Sequence, residues 1–227
     1  MKKKDDFTIS TDEYTDIQFH ADKLLRAASA YGCYPTPVDD IVKAAKLEVE
    51  HETSLDHGFL LRLLKSAKAP IREAIGKVIG LLDRGDRRIY LDHTVHEKRK
   101  KFLLLHETAH DFLPFQRDTF AIIQDSEDTL DPEVRQLFER QANVFASEVL
   151  FQGASFQSDA SDLSFSIDTP IKLADRYGSS IYSSIRRFVQ THEKACALLV
   201  LNKPQHIIGK GLETTLRRHI ESSKFRQ

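Results

Sequence analysis

The sequence predicts an α+β protein that is mostly helical, with a small antiparallel sheet beside one motif-bearing helix and a C-terminal helix pair followed by a short strand. Apolar residues recur at helical spacing through most of the chain, whereas two short apolar segments flank a turn at residues 83–86. One helical segment carries two histidines four residues apart. We predict two domains, residues 1–153 around this motif and residues 154–227 with the helix pair and a basic tail.

Composition limits the class of protein. The chain has 227 residues, of which 41% are hydrophobic, so it can bury a core in one large domain or in one domain with an appendage. Its formal net charge of -1 gives no global electrostatic reason to expect nucleic acid or a membrane as a partner. Two cysteines are too few for a disulfide framework, and the sequence shows neither a signal segment nor an apolar run of membrane-spanning length. We therefore expect a cytoplasmic protein.

The first elements are set by helix-start signals. Ser10 and Glu13 have the spacing of a capping box, and the apolar face that follows them predicts a helix ending at Gly32. A proline at position 37 begins a short second helix, and residues 47–49 read as a strand. Two further short helices are predicted at residues 59–64 and 70–75.

A β-hairpin is predicted just before the motif. Residues 77–82 and 87–92 form its strands, and the Asp-Arg-Gly-Asp segment at residues 83–86 supplies the turn. The edge of this hairpin could hold an extended peptide substrate as an added strand, because main-chain pairing grips a peptide whatever its sequence. The alternative is a hairpin that only covers the core.

The motif helix is predicted from residue 95 to residue 113. Thr94 and Glu97 have the spacing of a second capping box, and Pro114 cannot continue the helical hydrogen-bond ladder. Within this helix lies the segment His-Glu-Thr-Ala-His at residues 106–110. Because positions i and i+4 share a helix face, His106 and His110 can present two imidazole nitrogens to one ion, as in zinc hydrolases. The alternative is two hydrogen-bonded core histidines.

A third ligand is expected from a second helix. Asp131, Pro132 and Glu133 supply an N-cap, a first-turn proline and an early acid, which together start a helix. Glu139 falls next to the apolar stripe of that helix, and Asn143 shares its face. Catalytic zinc usually takes three protein ligands, so Glu139 is the best candidate for the third. The alternative is a partly solvated surface glutamate.

These two segments resemble the signature of the ImmA/IrrE family of metallo-endopeptidases. The second segment is Glu-Arg-Gln-Ala-Asn-Val-Phe-Ala at residues 139–146, and the similarity is strongest over residues 77–153. The chain has Ala109 where many members have glycine. It also has Leu-Phe-Gln-Gly at residues 150–153 where many members have a Leu-Met-Pro element, a departure that affects the substrate-side loop more than the metal site.

The resemblance implies a zincin-like metallopeptidase domain at residues 1–153 and a role for each motif residue. It implies that His106, His110 and Glu139 bind Zn²⁺ and that Glu107 is the general base. It gives Asn143 a supporting role outside the ligand set. It also implies a protein substrate, a DNA-binding helix-turn-helix repressor whose cleavage releases genes of a mobile element or a stress response.

The remaining chain is predicted to be less regular. Residues 118–131 are acidic and predict a solvated loop, and the serine-rich residues 152–168 predict a long polar loop that could act as a flap. Helices starting at Thr169 and Ser180, separated by Gly178, resemble a helix-turn-helix. Residues 195–201 predict a buried strand, followed by a basic tail with no terminating feature.

Two functions from different classes follow. The first is a zinc endopeptidase in which Glu107 takes a proton from the attacking water and passes it to the leaving nitrogen. The second is a non-catalytic antirepressor or interaction protein that binds a repressor or DNA through its C-terminal region. Arg186 and Arg187 could contact phosphates there, but one arginine pair is a poor electrostatic footprint. We therefore do not expect direct nucleic-acid binding, and the sequence carries no signal for an oligomeric state.

Overall fold

The structure is a computed structural model that describes residues 7–50, 80–92, 94–125 and 131–226. For residues 80 and 120–125 it describes the backbone only. The chain divides into two compact units, Met1–Gly153 and Ala154–Gln227. The α+β, mostly helical class predicted from the sequence is confirmed. The helices predicted at residues 59–64 and 70–75 lie outside the described residues.

Helix α1, Thr11–Ala27, opens the first unit with the predicted capping box. The Ser10 hydroxyl accepts a hydrogen bond from the Glu13 N–H at 3.3 Å, and the Glu13 carboxylate accepts from the Ser10 N–H at 2.8 Å. The helix ends five residues before the predicted Gly32. Ser29 has a φ of 51°, in the left-handed region, so the helical backbone cannot continue through it. Ile17, Ala21, Leu24 and Leu25 form its buried face.

A three-stranded sheet follows helix α2, Val38–Ala44. Its strands are β1, Glu48–Glu50, β2, Gly80–Asp83, and β3, Arg88–Leu91, in the order β1-β3-β2. The predicted hairpin is confirmed, because β2 and β3 pair antiparallel and Asp83 accepts a hydrogen bond from the Asp86 N–H in the turn. Strand β1 adds a parallel pairing to β3, which the sequence alone did not predict.

The motif helix α3 spans Glu97–Phe112, and its predicted cap is wrong. His96 is the N-cap, and its Nδ1 accepts a hydrogen bond from the Lys98 N–H at 3.2 Å. The Thr94 hydroxyl instead donates to Asp92, two residues back in the chain. Because the short Thr94 side chain bonds within its own turn, it does not cap the helix. His96, the next residue with a suitable acceptor, caps the helix instead.

The acidic loop predicted from residue 118 is also wrong over most of its length. Helix α4 spans Pro114–Asp125 and begins two residues after α3 ends. Proline ends the first helix but fits the first turn of the next, where its missing N–H leaves no hydrogen bond unmade. Pro114 is therefore a junction between two helices.

Helix α5, Pro132–Leu150, packs against both α1 and α3 and carries the second sequence motif. Its predicted cap is confirmed, because the Asp131 carboxylate accepts from the Glu133 N–H at 2.8 Å and the Val134 N–H at 3.4 Å. Its buried apolar residues include Phe138, Ala142, Phe145, Ala146 and Val149. The two alanines are small enough for close approach between helices.

An arginine ties the motif helix to the elements around it. Arg87 donates to both carboxylate oxygens of Asp111 on α3, at 2.8 and 3.3 Å. The same guanidinium donates to the carbonyls of Ala45 and Lys46, just after α2, at 3.0 Å each. The Asp111 side chain is 7% exposed, so this ion pair is less screened than a surface pair. It holds the C-terminal half of α3 beside the hairpin.

The second unit contains three helices among its described residues: α6, Ser155–Ser161, α7, Asp168–Tyr177, and α8, Ile181–Thr191. The long flap loop predicted at residues 152–168 is wrong, because α6 takes up seven of its 17 residues and α7 begins at its last one. Phe156 is buried there and packs against Tyr177, whose hydroxyl donates to Asp159 at 2.7 Å. The helix-turn-helix-like pair is confirmed: Gly178 ends α7 with a φ of 69°, and the Ser180 hydroxyl caps α8.

The alternative in which α8 contacts DNA phosphates finds no support in the burial of its arginines. Arg186 and Arg187 are 3% and 6% exposed, so their guanidinium groups do not lie on the surface of this helix. A charged side chain can reach a phosphate only if its head group is accessible to the duplex. The α8 arginines therefore give no support to DNA binding.

The C-terminal segment, predicted only as a basic tail after one strand, forms two pairs of strands. Strand β4, Ala197–Leu201, pairs antiparallel with β7, Leu216–Glu221, and β5, Gln205–Ile207, pairs with β6, Gly211–Glu213. A 3₁₀ turn follows at Ser223–Phe225. The strand predicted to be buried is not, since Leu199 and Leu201 are 59% and 55% exposed. A two-stranded sheet packed on one helix has only one covered face.

None of the helices in the described residues has both the length and the apolar character that a bilayer span requires.

The cap of α5 yields a stability prediction, because this helix carries Glu139. Asp131→Ala removes the acceptor for two N–H groups and should lower the free energy of unfolding by about 1 kcal/mol. Gln136→Ala, at an exposed position on the same helix, is the control and should change it by less than about 0.5 kcal/mol. Urea denaturation followed by circular dichroism measures both, and equal effects would contradict the capping role.

Candidate metal centre

Three side chains predicted from the sequence converge on one point. His106 Nε2 lies 3.3 Å from His110 Nε2 and 3.3 Å from Glu139 Oε2, and His110 Nε2 lies 3.7 Å from Glu139 Oε1. The two histidines come from one turn of α3, and the glutamate comes from α5, which packs against it. Within the described ranges, this is the cluster whose ligand atoms could hold a metal ion.

The spacing of these atoms fits a small tetrahedral ion. Ligand atoms about 2.0–2.2 Å from a zinc ion, at tetrahedral angles, lie roughly 3.3–3.6 Å from one another. The two imidazole nitrogens, 3.3 Å apart, match this range. The Glu139 carboxylate presents one oxygen to each histidine, with Oε2 at 3.3 Å from His106 Nε2 and Oε1 at 3.7 Å from His110 Nε2. Two imidazoles and one carboxylate are also a ligand set found at catalytic zinc sites. The residues present therefore fit a zinc ion in both chemistry and geometry.

Asn143 fixes the ring of His106. Its Oδ1 lies 3.1 Å from His106 Nδ1. A carboxamide oxygen can only accept a hydrogen bond, so this contact requires a proton on Nδ1 and leaves the lone pair of Nε2 directed at the shared point. Asn143 lies one turn after Glu139 on α5, so this helix supplies both a candidate ligand and the group that orients another.

Gln116 fixes the ring of His110, a role that the sequence analysis did not predict. Gln116 Oε1 lies 2.7 Å from His110 Nδ1, and the glutamine is fully buried. It stands in the first turn of α4, within the chain segment between the two motif helices. In the sequence, a polar residue just after Pro114 looks like part of a loop between two helices. Only its position six residues after His110 could have indicated that Gln116 lies near that histidine.

Electrostatics distinguish the two histidines. Burial by itself lowers the pKa of His106, but the hydrogen bond to Glu139 and the carboxylates of Glu107 and Glu139 outweigh it and raise that pKa above its usual value. Burial, reinforced by the charge of His106, lowers the pKa of His110 to about 4. In the metal-free site His106 therefore takes up a proton at a higher pH than His110 does.

The two glutamates of the site differ in the same way. Burial raises the pKa of Glu107, and the charge of Glu139 adds to this, while His106 and Arg84 oppose it. For Glu139, burial also acts to raise the pKa, but its hydrogen bond to His106 and the charges of both histidines lower it below its usual value. Glu107 is thus the easier carboxylate to protonate, and Glu139 stays ionised.

Exposure shows which side of the site is open. The side chains of His106 and His110 are 12% and 10% exposed, whereas that of Glu139 is 55% exposed. Glu139 is thus a surface glutamate, as one sequence interpretation held, yet it also contacts both histidines. Arg84, in the hairpin turn, closes another side and donates to the His110 carbonyl at 3.3 Å. A reactant can reach the shared point from the Glu139 side.

The metal-free site gives a pH prediction. His110 should stay neutral until the pH falls to about 4. His106, whose pKa is raised, should keep its proton to a higher pH than an ordinary histidine. The folded-state pKa of His110 lies below the unfolded one, so its contribution to stability is complete above about pH 6.5 and is lost as the pH falls towards 4. Histidine ring ¹⁵N NMR in the presence of a chelator measures both rings. His110→Asn should lose less stability than the wild type over this pH interval, and a charged His110 at pH 6 would contradict the assignment.

Comparisons with known proteins were made on the sequence and on the fold. No curated protein sequence matches the chain significantly. Among solved structures, the chain is similar to a Mycobacterium tuberculosis transcriptional regulator, with a TM-score of 0.55 and 14% sequence identity. The match covers 91% of this chain and 55% of that chain, so the present chain spans about half the length of that protein. At this identity the likeness concerns the fold alone.

A family model gives the stronger result. The IrrE N-terminal-like domain of the Peptidase M78 family matches residues 68–188, more than half of the chain, and this range includes all four predicted site residues. The match confirms the resemblance inferred from the two sequence motifs. The chain therefore belongs to the Peptidase M78 family, which is defined by the IrrE N-terminal-like domain.

Proposed function

We propose that this protein is a zinc-dependent endopeptidase that hydrolyses a peptide bond in a regulatory protein. The observation that carries the proposal is the convergence of His106, His110 and Glu139, in which the imidazole Nε2 atoms lie 3.3 Å apart and each lies 3.3 or 3.7 Å from a Glu139 carboxylate oxygen. Two imidazoles and a carboxylate grouped in this way suit a zinc ion. Membership of a metallopeptidase family supports it. The ordering of both imidazoles by carboxamide oxygens supports it further, since zinc-binding histidines commonly have such partners.

The three proposed ligands leave one side of the site for reactants. Zinc bound there would polarise a peptide carbonyl and lower the pKa of an attacking water, which is the chemistry this ion supplies in hydrolases. The ligand side chains hold that position from three directions, and the exposed side of Glu139 admits the substrate. Burial of the histidines excludes bulk water behind the ion and strengthens local electrostatic interactions.

Glu107 is the proposed general base. It lies beside His106 on the same helix, so its carboxylate flanks the metal face without joining the ligand set. Burial raises its pKa, which makes it a better proton acceptor than an ordinary surface glutamate. Its oxygen takes the proton of the attacking water and then delivers it to the leaving nitrogen of the cleaved peptide bond.

The substrate we propose is a helix-turn-helix repressor in the cytoplasm. The family match and the similarity in fold to a transcriptional regulator support a regulatory context. Among the described strands β2 stands at one edge of its sheet and contacts α3. We propose that an extended substrate segment pairs with this edge, which would bring its main chain alongside the motif helix.

Metal content provides the first test. Glu139→Ala should reduce the bound zinc from about one ion per chain to a small fraction, because two histidines alone bind zinc weakly. Its high exposure means that the substitution should leave the fold intact. Glu133→Ala, an exposed acid in the first turn of the same helix, is the matched control and should keep the metal. Elemental analysis of purified protein measures both, and equal zinc in the two variants would contradict the ligand role.

Proteolysis provides the second test. Glu107→Gln should keep the zinc and slow cleavage by roughly 10²- to 10⁴-fold, because the amide cannot accept the proton of the attacking water. The substrate to use first is a helix-turn-helix repressor from the same organism, and the fragments are followed by electrophoresis and mass spectrometry. Full proteolysis by the variant would contradict the role of Glu107. A stoichiometric complex of zinc-loaded wild type with intact repressor would instead favour a non-catalytic antirepressor.

A further inference from the structure

We propose that Gln116 is a positioning residue that makes His110 a metal ligand, and that Gln141 fixes the orientation of Gln116. The inference rests on the proposed metal-binding function of the site. It concerns two residues that are neither proposed ligands nor the proposed general base. The geometry that carries it is a chain of buried side-chain amides running from His110 towards α1.

Every polar atom of the Gln116 amide has a partner. Oε1 faces His110 Nδ1 at 2.7 Å, while Nε2 donates to the Phe138 carbonyl at 3.2 Å and to Gln141 Oε1 at 3.1 Å. A carboxamide nitrogen carries two hydrogens, and both are used on oxygens that can only accept. Rotating the amide by half a turn would place its oxygen against two other oxygens. The observed orientation is therefore imposed by its surroundings.

The next amide in the chain is fixed in the same way. Gln141 Nε2 donates to Glu13 Oε1 at 2.8 Å, which leaves Gln141 Oε1 as the atom that faces Gln116. Glu13 is itself held by the capping box at the start of α1. The pKa of Glu13 is lowered, because hydrogen bonds from Ser10 and Gln141 outweigh the effect of burial, so its oxygens remain acceptors. The orientation of Gln116 is thus specified from α5 and α1.

This orientation determines which nitrogen of His110 can bind a metal. With an acceptor oxygen against Nδ1, the proton of a neutral His110 must lie on Nδ1, and the lone pair of Nε2 is directed at His106 and Glu139. With a donor at that position, the proton would move to Nε2 and occupy the place of the ion. Partners of this kind typically change metal affinity by about 10- to 100-fold when removed.

The test compares two buried glutamines. Gln116→Leu removes the acceptor from His110. Gln152→Leu is the matched control, because Gln152 is also fully buried and bonds Gly32, Cys33 and Thr36, away from the site. Both changes should lower the melting temperature. Zinc affinity, measured by competition with a chromophoric chelator, should fall about 10- to 100-fold for Gln116→Leu and stay within about twofold of the wild type for Gln152→Leu.

A conservative variant and a spectroscopic readout separate positioning from packing. Gln116→Glu keeps an acceptor oxygen for His110 Nδ1 and should recover most of the zinc affinity lost in Gln116→Leu, although it loses the two donated hydrogen bonds. Gln141→Leu should cause a smaller loss than Gln116→Leu. In the metal-free wild type at neutral pH, histidine ¹⁵N NMR should show the His110 proton on Nδ1.

Two results would overturn the proposal. One is equal zinc affinity of Gln116→Leu and Gln152→Leu in folded protein, and the other is a His110 proton on Nε2 in the metal-free wild type. Failure of the proposed function looks different, because the wild type itself would then bind no zinc. The NMR result would still decide whether Gln116 orients His110.

Discussion

The candidate metal centre depends on holding two imidazole nitrogens 3.3 Å apart, with the Glu139 carboxylate oxygens 3.3 and 3.7 Å from them. Two imidazole lone pairs and a carboxylate at these distances repel each other unless a positive charge lies among them. A proton on His106, whose pKa is raised, can supply that charge in the metal-free protein, and a divalent cation would satisfy all three donors at once. The packing of α3 against α5 holds the donors together, so the free energy of this packing offsets their repulsion.

Different elements around the site fix its helices and its side chains. The Arg87 to Asp111 ion pair anchors α3 to the sheet, while Asp131 starts α5 at the residue that places Glu139 opposite the histidines. Asn143 and Gln116 then orient the two rings from behind. Because these restraints act on the buried side, the exposed side of Glu139 is left for a reactant. A site with ordered ligands and one accessible face is the arrangement that hydrolytic zinc chemistry requires.

Local patterns predicted more of this structure than distant ones. The Ser10 capping box, the Asp131 start and the hairpin turn depend only on residues a few positions apart, and they were predicted correctly. The capping box predicted at Thr94 was not, because that side chain bonds within its own turn. Glu139 was found because an acid beside an apolar stripe needs a partner and because its motif resembles a known family. Gln116 was missed, since the role of an amide depends on which groups tertiary packing places around it. Leu199 was misplaced for the same reason: a strand's burial is decided by the layer that covers it, and here one face has none.

The same network would let a metal-free and a metal-bound state share one fold. Asn143 and Gln116 contact the Nδ1 atoms, so replacing a proton by an ion at the Nε2 side need not disturb either hydrogen bond. Because the pKa of His106 is raised, an ion that binds there would displace a proton from His106 and release it to solvent. Since the orienting groups belong to α4 and α5 and are locked from α1, the exchange requires little rearrangement of side chains. A centre built in this way is preorganised, and preorganisation is what allows fixed dipoles to stabilise charge without a reorganisation cost during the reaction.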